Sequence, residues 1–207
     1  MQKLELLNES PSQTAGPYVH IGCVPNFCGI EGVYPHDLGD TMVNDQTLGE
    51  RISVSGIVYD GTGTPLKDAM VEIWQADAAG IYPGNDPRPQ MAGRADPNFS
   101  GWGRKAGDYA TGEWRFDTIR PGAVPFKDGR MMAPHITFWV VARGINLGLQ
   151  TRMFFPEEEE ANSADPILQR IEHQNRVPTL IAKKTGEGAY RFDIVLQGEG
   201  ETIFFDV

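Results

Sequence analysis

The stretch WRFDTIRPGAVPFKDGRMMAPHITFWVVAR, residues 114–143, decides the fold. Both of its ends are rich in the aromatic and β-branched side chains that favour strands. Pro121-Gly122 interrupts the first run, and Pro134 precedes the second. The pattern therefore predicts two strands, Trp114–Ile119 and His135–Ala142, joined by a turn and a loop.

The second predicted strand has two different faces, because successive side chains of a strand point in opposite directions. The face formed by Ile136, Phe138, Val140 and Ala142 is apolar and is predicted to lie in the core. The other face begins with His135 beside Thr137 and reaches Arg143 at the strand end, so candidate functional side chains belong on this face.

Composition limits the class of protein. A chain of 207 residues is long enough for one domain with a sizeable core. Its 24 glycines and 15 prolines indicate many turns and favour an all-β sandwich or barrel. The net charge of −10 argues against nucleic-acid binding, which needs a basic surface. Neither a signal peptide nor a membrane span is expected, and the predicted location is cytoplasmic.

Other segments of the chain complete the prediction. Asp165 and Pro166 indicate the single short helix, because one can cap a helix and the other suits its first turn. The region Gly80–Arg104 is predicted to be a long loop, and Ser53–Asp60 with Ala69–Gln75 a hairpin or Greek-key element. The helix itself is predicted at Ser163–Gln174 and a further strand at Gln150–Phe155. The tail, Thr179–Val207, is predicted to be a β-hairpin or meander with an aromatic final strand.

Two further motifs receive structural interpretations. Cys23 and Cys28 form a single C-x4-C pair, which is interpreted as free thiols, with a disulfide or a metal role as the alternatives. The four glutamates at 157–160 are interpreted as a solvated loop, with a cation site as the alternative.

Several segments resemble the intradiol ring-cleavage dioxygenases. The similar stretches are TIRPGAVPF, PHITF, DPNF and VYDGTGTPLKDAMVEIWQADAAGIY. The resemblance spans nearly the whole chain. It implies a β-sandwich of the intradiol dioxygenase type with long loops and one short helix.

The chain departs from this family at the metal site. Catalytic members hold Fe(III) with two tyrosines and two histidines, including a Pro-Gly-x-Tyr-Pro turn and a His-x-His pair. In this chain Val124 stands at the tyrosine position of the turn, and Thr137 stands at the second histidine position. Counting back from DPNF places Met91 at the position of the other tyrosine. Tyr82 lies upstream of that counted position, so only His135 is predicted to remain. One imidazole cannot retain the metal, and the chain is therefore predicted to hold no iron and to be inactive alone.

The resemblance implies a partner instead. Non-catalytic chains of the family pair with a homologous iron-bearing chain, and SQTAGPYVHIG is similar to their N-terminal arm. This divides the chain into an arm, residues 1–22, and one domain, residues 23–207. Thr14, Gly16, Pro17 and Arg143 match positions that line the partner's pocket, where protocatechuate and dioxygen react. A higher hetero-oligomer is expected.

Two other classes of function stay open on the sequence. One is a stand-alone binding sandwich of the transthyretin-like kind, which would take an aromatic acid in a simple cleft. The other is a structural spacer in a larger assembly, which would tolerate removal of the arm.

Overall fold

The computed structural model describes residues 14–84, 88, 94–146 and 148–206, and most of them form strands or the turns between strands. Eleven strands lie in this part of the chain. They are β1 Arg51–Tyr59, β2 Met70–Trp74, β3 Trp102–Ala106, β4 Glu113–Ile119, β5 Val124–Pro125, β6 Met131–Met132, β7 His135–Val141, β8 Leu149–Phe154, β9 Lys183–Gly186, β10 Ala189–Arg191 and β11 Ile194–Val195.

The first sheet is built around β1. On one side β1 pairs antiparallel with β4, with Ser53 opposite Asp117. On the other side it pairs in parallel with two short strands in succession, β10 near Ser53 and β11 near Val58. Strand β9 adds to the outer edge of β10. The middle of the chain and its C-terminal part therefore meet on the same strand.

The second sheet has the order β3-β2-β7-β8, and all its pairs are antiparallel. In the pairing of β2 with β7, Met70 lies opposite Val141 and Trp74 lies opposite Thr137. A small hairpin of β5 and β6 stands beside the sheets. This arrangement confirms the all-β sandwich.

The core lies between the two sheets. Phe138 of β7 contacts Trp114 of the other sheet at a ring-centroid distance of 5.4 Å. It also contacts Phe192 at 5.2 Å. The predicted core face of β7 is confirmed, because Ile136, Phe138, Val140 and Ala142 are completely buried.

Three local predictions need correction. Strands β1 and β2 belong to different sheets, so the hairpin is excluded and the Greek-key element is left of the two predicted arrangements. The predicted long loop 80–104 ends in strand β3, whose sequence WGRKA has little β-propensity but pairs along its whole length with β2. The predicted final strand is reduced to one isolated bridge between Phe205 and Gln150.

The helical segments also differ from the prediction. The helix expected at residues 163–174 is replaced by α2 at Glu159–Ala164 and a 3-10 turn at Leu168–Arg170. Asp165 ends α2 and accepts hydrogen bonds from the backbone of Ala133, Ile167 and Leu168, so it caps the following turn instead of a long helix. A second 3-10 helix covers Gln174–Leu180, and helix α1 covers Pro17–Cys23.

The glutamates at 157–160 are not simply a solvated loop. Glu157 accepts hydrogen bonds from Lys184 at 2.8 Å, from the Tyr190 hydroxyl at 2.5 Å and from Arg120 at 3.3 Å. Although partial burial opposes it, these bonds lower the pKa of Glu157 to about 2. Burial and the hydrogen bond to Glu157 raise the pKa of Tyr190 to about 12. Glu158 pairs with Arg120 at 2.9 Å.

Both cysteines of the sequence lie in the described part, and both are free thiols, as interpreted. In that same part, none of the helices has the length and apolar character needed to cross a bilayer.

Candidate functional site

Helix α1 and the loop after β1 enclose a cavity of about 830 Å³, which we call the arm cavity. Its lining includes Gly16, His20, Asp68, Tyr109 and Arg143. Gly16 caps α1 from an extended conformation, and its carbonyl accepts a hydrogen bond from the Val19 amide at 3.0 Å. Residues 17–23 are therefore helical, and they include the end of the predicted arm. Its residues 1–13 lie outside the described part.

The arm is tied through Thr14 to the turn after β7. The Thr14 hydroxyl accepts a hydrogen bond from the backbone amide of Gly144 at 2.8 Å. Gly144 follows Arg143 and has a φ of 91°, a conformation that side-chain-bearing residues rarely adopt. This turn ends the strand and places Arg143 beside the arm. The structure thus brings Arg143 together with Thr14 and Gly16, which lie more than 120 residues earlier in the sequence.

Arg143 is directed outward. Its side chain is 80% exposed, and its Nε lies 3.4 Å from the Oδ2 of Asp68, which is 41% exposed. The pair follows from the sheet, because the register that puts Met70 opposite Val141 brings Asp68 opposite Arg143 two positions further along. Sequence reasoning did not identify Asp68. The signal that reveals it is the register of β2 against β7.

His20 also lines the arm cavity. Burial lowers the pKa of its imidazole, and the nearby Asp68 carboxylate partly opposes this effect. Its Nε2 is buried and has no hydrogen-bond partner among the described residues. A neutral imidazole therefore faces the same carboxylate as Arg143.

A second group of side chains surrounds the other end of β7. We call it the His135 cluster, formed by His135, Tyr82, Val124, Met132 and Arg152. His135 is buried, and its Nδ1 lies 2.7 Å from the carbonyl oxygen of Ala133. Burial and the nearby Arg152 lower the pKa of His135 to about 4, so the ring is neutral near pH 7.

Apart from Tyr82, the other members of the His135 cluster are apolar or cationic. Val124 packs with Met132 in a small buried group against which Tyr82 also packs. Thr137 lies opposite Arg152 in the pairing of β7 with β8. The half-buried Arg152 donates to the Met132 sulfur at 3.5 Å, and burial lowers the pKa of its guanidinium.

Tyr82 is a residue that sequence reasoning set aside. The count back from DPNF pointed to Met91, which lies outside the described residues. The structure instead brings Tyr82 into the His135 cluster, where it stacks on Trp74 with ring centroids 6.1 Å apart and interacts electrostatically with Arg152. The signal that could have identified Tyr82 from the sequence is its position shortly after the end of β2.

The arm cavity and the His135 cluster are separate sites. They lie at opposite ends of β7, which has seven residues and thus a length of roughly 20 Å. One small aromatic acid cannot contact both.

The comparisons with known proteins agree with this architecture. The profile of the Dioxygenase family matches residues 25–198. The chain is 45% identical to the protocatechuate 3,4-dioxygenase alpha chain of Pseudomonas putida, over 98% of each chain. It is 38% identical to the beta chain of protocatechuate 3,4-dioxygenase from Burkholderia cepacia, over 83% of this chain and 75% of that one.

The chain belongs to the intradiol ring-cleavage dioxygenase family.

Among solved structures, the fold is similar to the dioxygenase domain of a carbohydrate-binding fusion protein from Streptomyces sp. SirexAA-E. That match has a TM-score of 0.53 and 26% identity, and it covers 81% of this chain and 94% of that domain. Hydroxyquinol 1,2-dioxygenase from Pseudomonas putida DLL-E4 shares the fold with a TM-score of 0.54 and 22% identity, over 80% of this chain and 62% of that one.

The ferric ion that this family implies does not fit the His135 cluster. Tyr82 and His135 are its two potential donors for a hard cation, because Val124 offers only carbon atoms and Arg152 adds a positive charge. Across the described ranges, no group of three or more His, Cys, Asp or Glu side chains could hold a metal. The His135 cluster therefore lacks the donor set of a ferric site.

Proposed function

We propose that this chain is the alpha subunit of a protocatechuate 3,4-dioxygenase and completes the active-site pocket of an iron-bearing beta subunit. The observation that carries the proposal is the meeting of the arm with Arg143 at an exposed cavity, at the opposite end of β7 from the His135 cluster. The similarity to alpha chains over nearly the full length supports the same role.

The surface around the arm supports binding of a partner chain. Exposed large apolar side chains concentrate in and near residues 18–38, and clusters of this kind mark protein interfaces. They are Tyr18, Ile21, Ile30, Val33, Tyr34, Leu38 and Tyr109. We infer that the beta chain covers this surface and that the pairs assemble further into a hetero-oligomer in the cytoplasm.

The role proposed for Arg143 follows from its chemistry. A guanidinium offers two parallel donors that match the two oxygens of a carboxylate. Protocatechuate carries a carboxylate, which Arg143 would orient at the edge of the partner's pocket, with Thr14, Gly16 and Pro17 forming the adjacent wall. The assembled enzyme would insert both atoms of dioxygen between the hydroxyl-bearing carbons, with Fe(III) held by the beta chain, to give 3-carboxy-cis,cis-muconate.

Substitution of Arg143 in the co-expressed complex tests this proposal. We expect Arg143→Ala to increase KM for protocatechuate by the loss of a charged contact, about 1.5–3 kcal/mol or about 10- to 150-fold. Iron content and assembly should stay unchanged. Arg115→Ala is the matched control, because Arg115 is also exposed and ion-paired but lies on β4 of the other sheet.

Removal of residues 1–17 provides a second test, because it takes away Thr14 and its bond to Gly144. Turnover of the complex should fall and association with the beta chain should weaken. A truncated chain that supports full turnover would indicate a structural spacer. An isolated chain that binds protocatechuate tightly would indicate a stand-alone binding protein.

A further inference from the structure

We propose that Asp68 is a positioning residue that orients Arg143 toward the substrate carboxylate. This inference rests on the proposed function, since it assigns a task to the neighbour of the arginine that we place at the pocket. Asp68 itself would touch neither the substrate nor the reacting atoms.

The geometry of the ion pair supports this role. Asp68 contacts Arg143 through Nε, at 3.4 Å. Neither terminal nitrogen of the Arg143 guanidinium forms an ion pair with another described residue, so both remain available to a ligand. The Asp68 carboxylate at Nε can therefore fix the direction of the arginine side chain. The two terminal nitrogens of the guanidinium can then bind a second carboxylate end-on.

The backbone on both sides of the pair is fixed. Asp68 lies two residues before β2, an inner strand of its sheet, and Arg143 lies two residues after β7, the neighbouring strand. The Ala69 carbonyl accepts a hydrogen bond from the Gly107 amide at 2.9 Å, and the Gly144 amide donates to Thr14. The backbone of Asp68 and of Arg143 is thus held in place by the sheet and its turns.

An orienting contact matters because Arg143 is so exposed. A free arginine side chain has many rotamers, and fixing them on binding costs entropy. The ion pair with Asp68 restricts these rotamers before the substrate arrives. This effect should appear in substrate affinity and leave the chemical step unchanged.

The test uses Asp68→Asn in the co-expressed complex, with oxygen uptake measured against protocatechuate concentration. Loss of an exposed ion pair should increase KM about two- to fivefold, with kcat unchanged. Asp68→Glu keeps the charge and should restore most of the affinity. Asp117→Asn breaks the exposed pair with Arg115 on the other sheet and should leave KM unchanged.

A double-mutant cycle separates positioning from a general effect of charge. If Asp68 acts through Arg143, then Asp68→Asn should have no effect on KM when Arg143 is already alanine. An equal increase in both backgrounds would overturn the inference, as would an unchanged or decreased KM in Asp68→Asn alone. Those results leave the proposed function intact if Arg143→Ala still increases KM. An unchanged KM in Arg143→Ala would overturn both.

Discussion

At the scale of single residues, His135 shows how burial changes what a histidine can do. Its Nδ1 is engaged by the Ala133 carbonyl, and its Nε2 is buried without a partner among the described residues. Burial disfavours the charged form of such an imidazole, so the ring is neutral near pH 7. We therefore expect His135 to support the core and not to act as an acid or base.

The variant His135→Ala should leave turnover of the assembled enzyme unchanged and lower the stability of the chain by about 1–3 kcal/mol. The pKa of His135 is lowered in the fold from 6.5 to about 4, so protonation favours the unfolded chain. The stability held by the neutral ring is present above pH 6.5 and is lost as pH falls toward 4. Chemical denaturation should thus show a larger deficit for the variant near neutral pH than in acid. A folded complex without activity would contradict this prediction.

The stability of the folded chain in acid should depend on the carboxylate of Glu157. Its pKa falls from 4.5 to about 2 in the fold, so its contribution is present above pH 4.5 and is lost as pH falls toward 2. We expect Glu157→Gln to lower the urea midpoint at neutral pH, and the difference from the unmodified chain to shrink across that window. Glu160→Gln is the control, because Glu160 belongs to the same tetrad but its carboxylate takes no part in the bonds to Lys184, Tyr190 and Arg120. Parallel pH curves for both chains would refute the assignment.

At the scale of elements, the register of β2 against β7 distributes the functional side chains. The register that pairs Met70 with Val141 sets Asp68 against Arg143 at one end and Trp74 against Thr137 at the other. The pattern of the sequence predicted the faces of β7 correctly, because alternation depends only on the strand itself. It could not predict Asp68, because register depends on a partner strand more than sixty residues away.

The errors in the predicted elements have a similar origin. Strand β3 forms because β2 offers an unpaired edge, although its own residues favour no strand. The predicted helix fails because Asp165 bonds to Ala133, a contact that local capping rules do not include. Tyr82 was missed because counting along a loop does not show where the loop returns to the sheet.

The backbone of β1 approaches Phe192 and Trp114 closely at Gly56, and this approach gives a test of how the strands pack. A Cβ atom on Gly56 would lie 1.9 Å from the Phe192 carbonyl oxygen and 2.5 Å from the Trp114 ring. Gly56→Ala should therefore destabilise the chain by at least about 1–3 kcal/mol. Gly22→Ala in α1 should be neutral or stabilising, because no described atom lies within 4 Å of the place that its new methyl group would take. Equal denaturation midpoints for the two variants would show that the sheets are not packed as described.

At the scale of the whole molecule, the donor-poor His135 cluster predicts the properties of the isolated chain. Purified without a partner, it should be colourless and contain almost no iron, because two potential donors cannot retain the ion. Metal analysis and visible absorption check this result. Stoichiometric iron with a visible band would contradict the structure of the cluster.

The parallel pairing of β1 with β10 and β11 has a consequence for synthesis of the chain. Ile57 donates a hydrogen bond to Asp193, which lies 136 positions later in the sequence. While a ribosome is making the chain, β1 can pair with β4, but its other edge stays open until β10 and β11 have emerged. Contacts at such separation form slowly, and an open strand edge attracts other chains. A chain truncated before residue 189 would lack β10 and β11 and would leave that edge of β1 open.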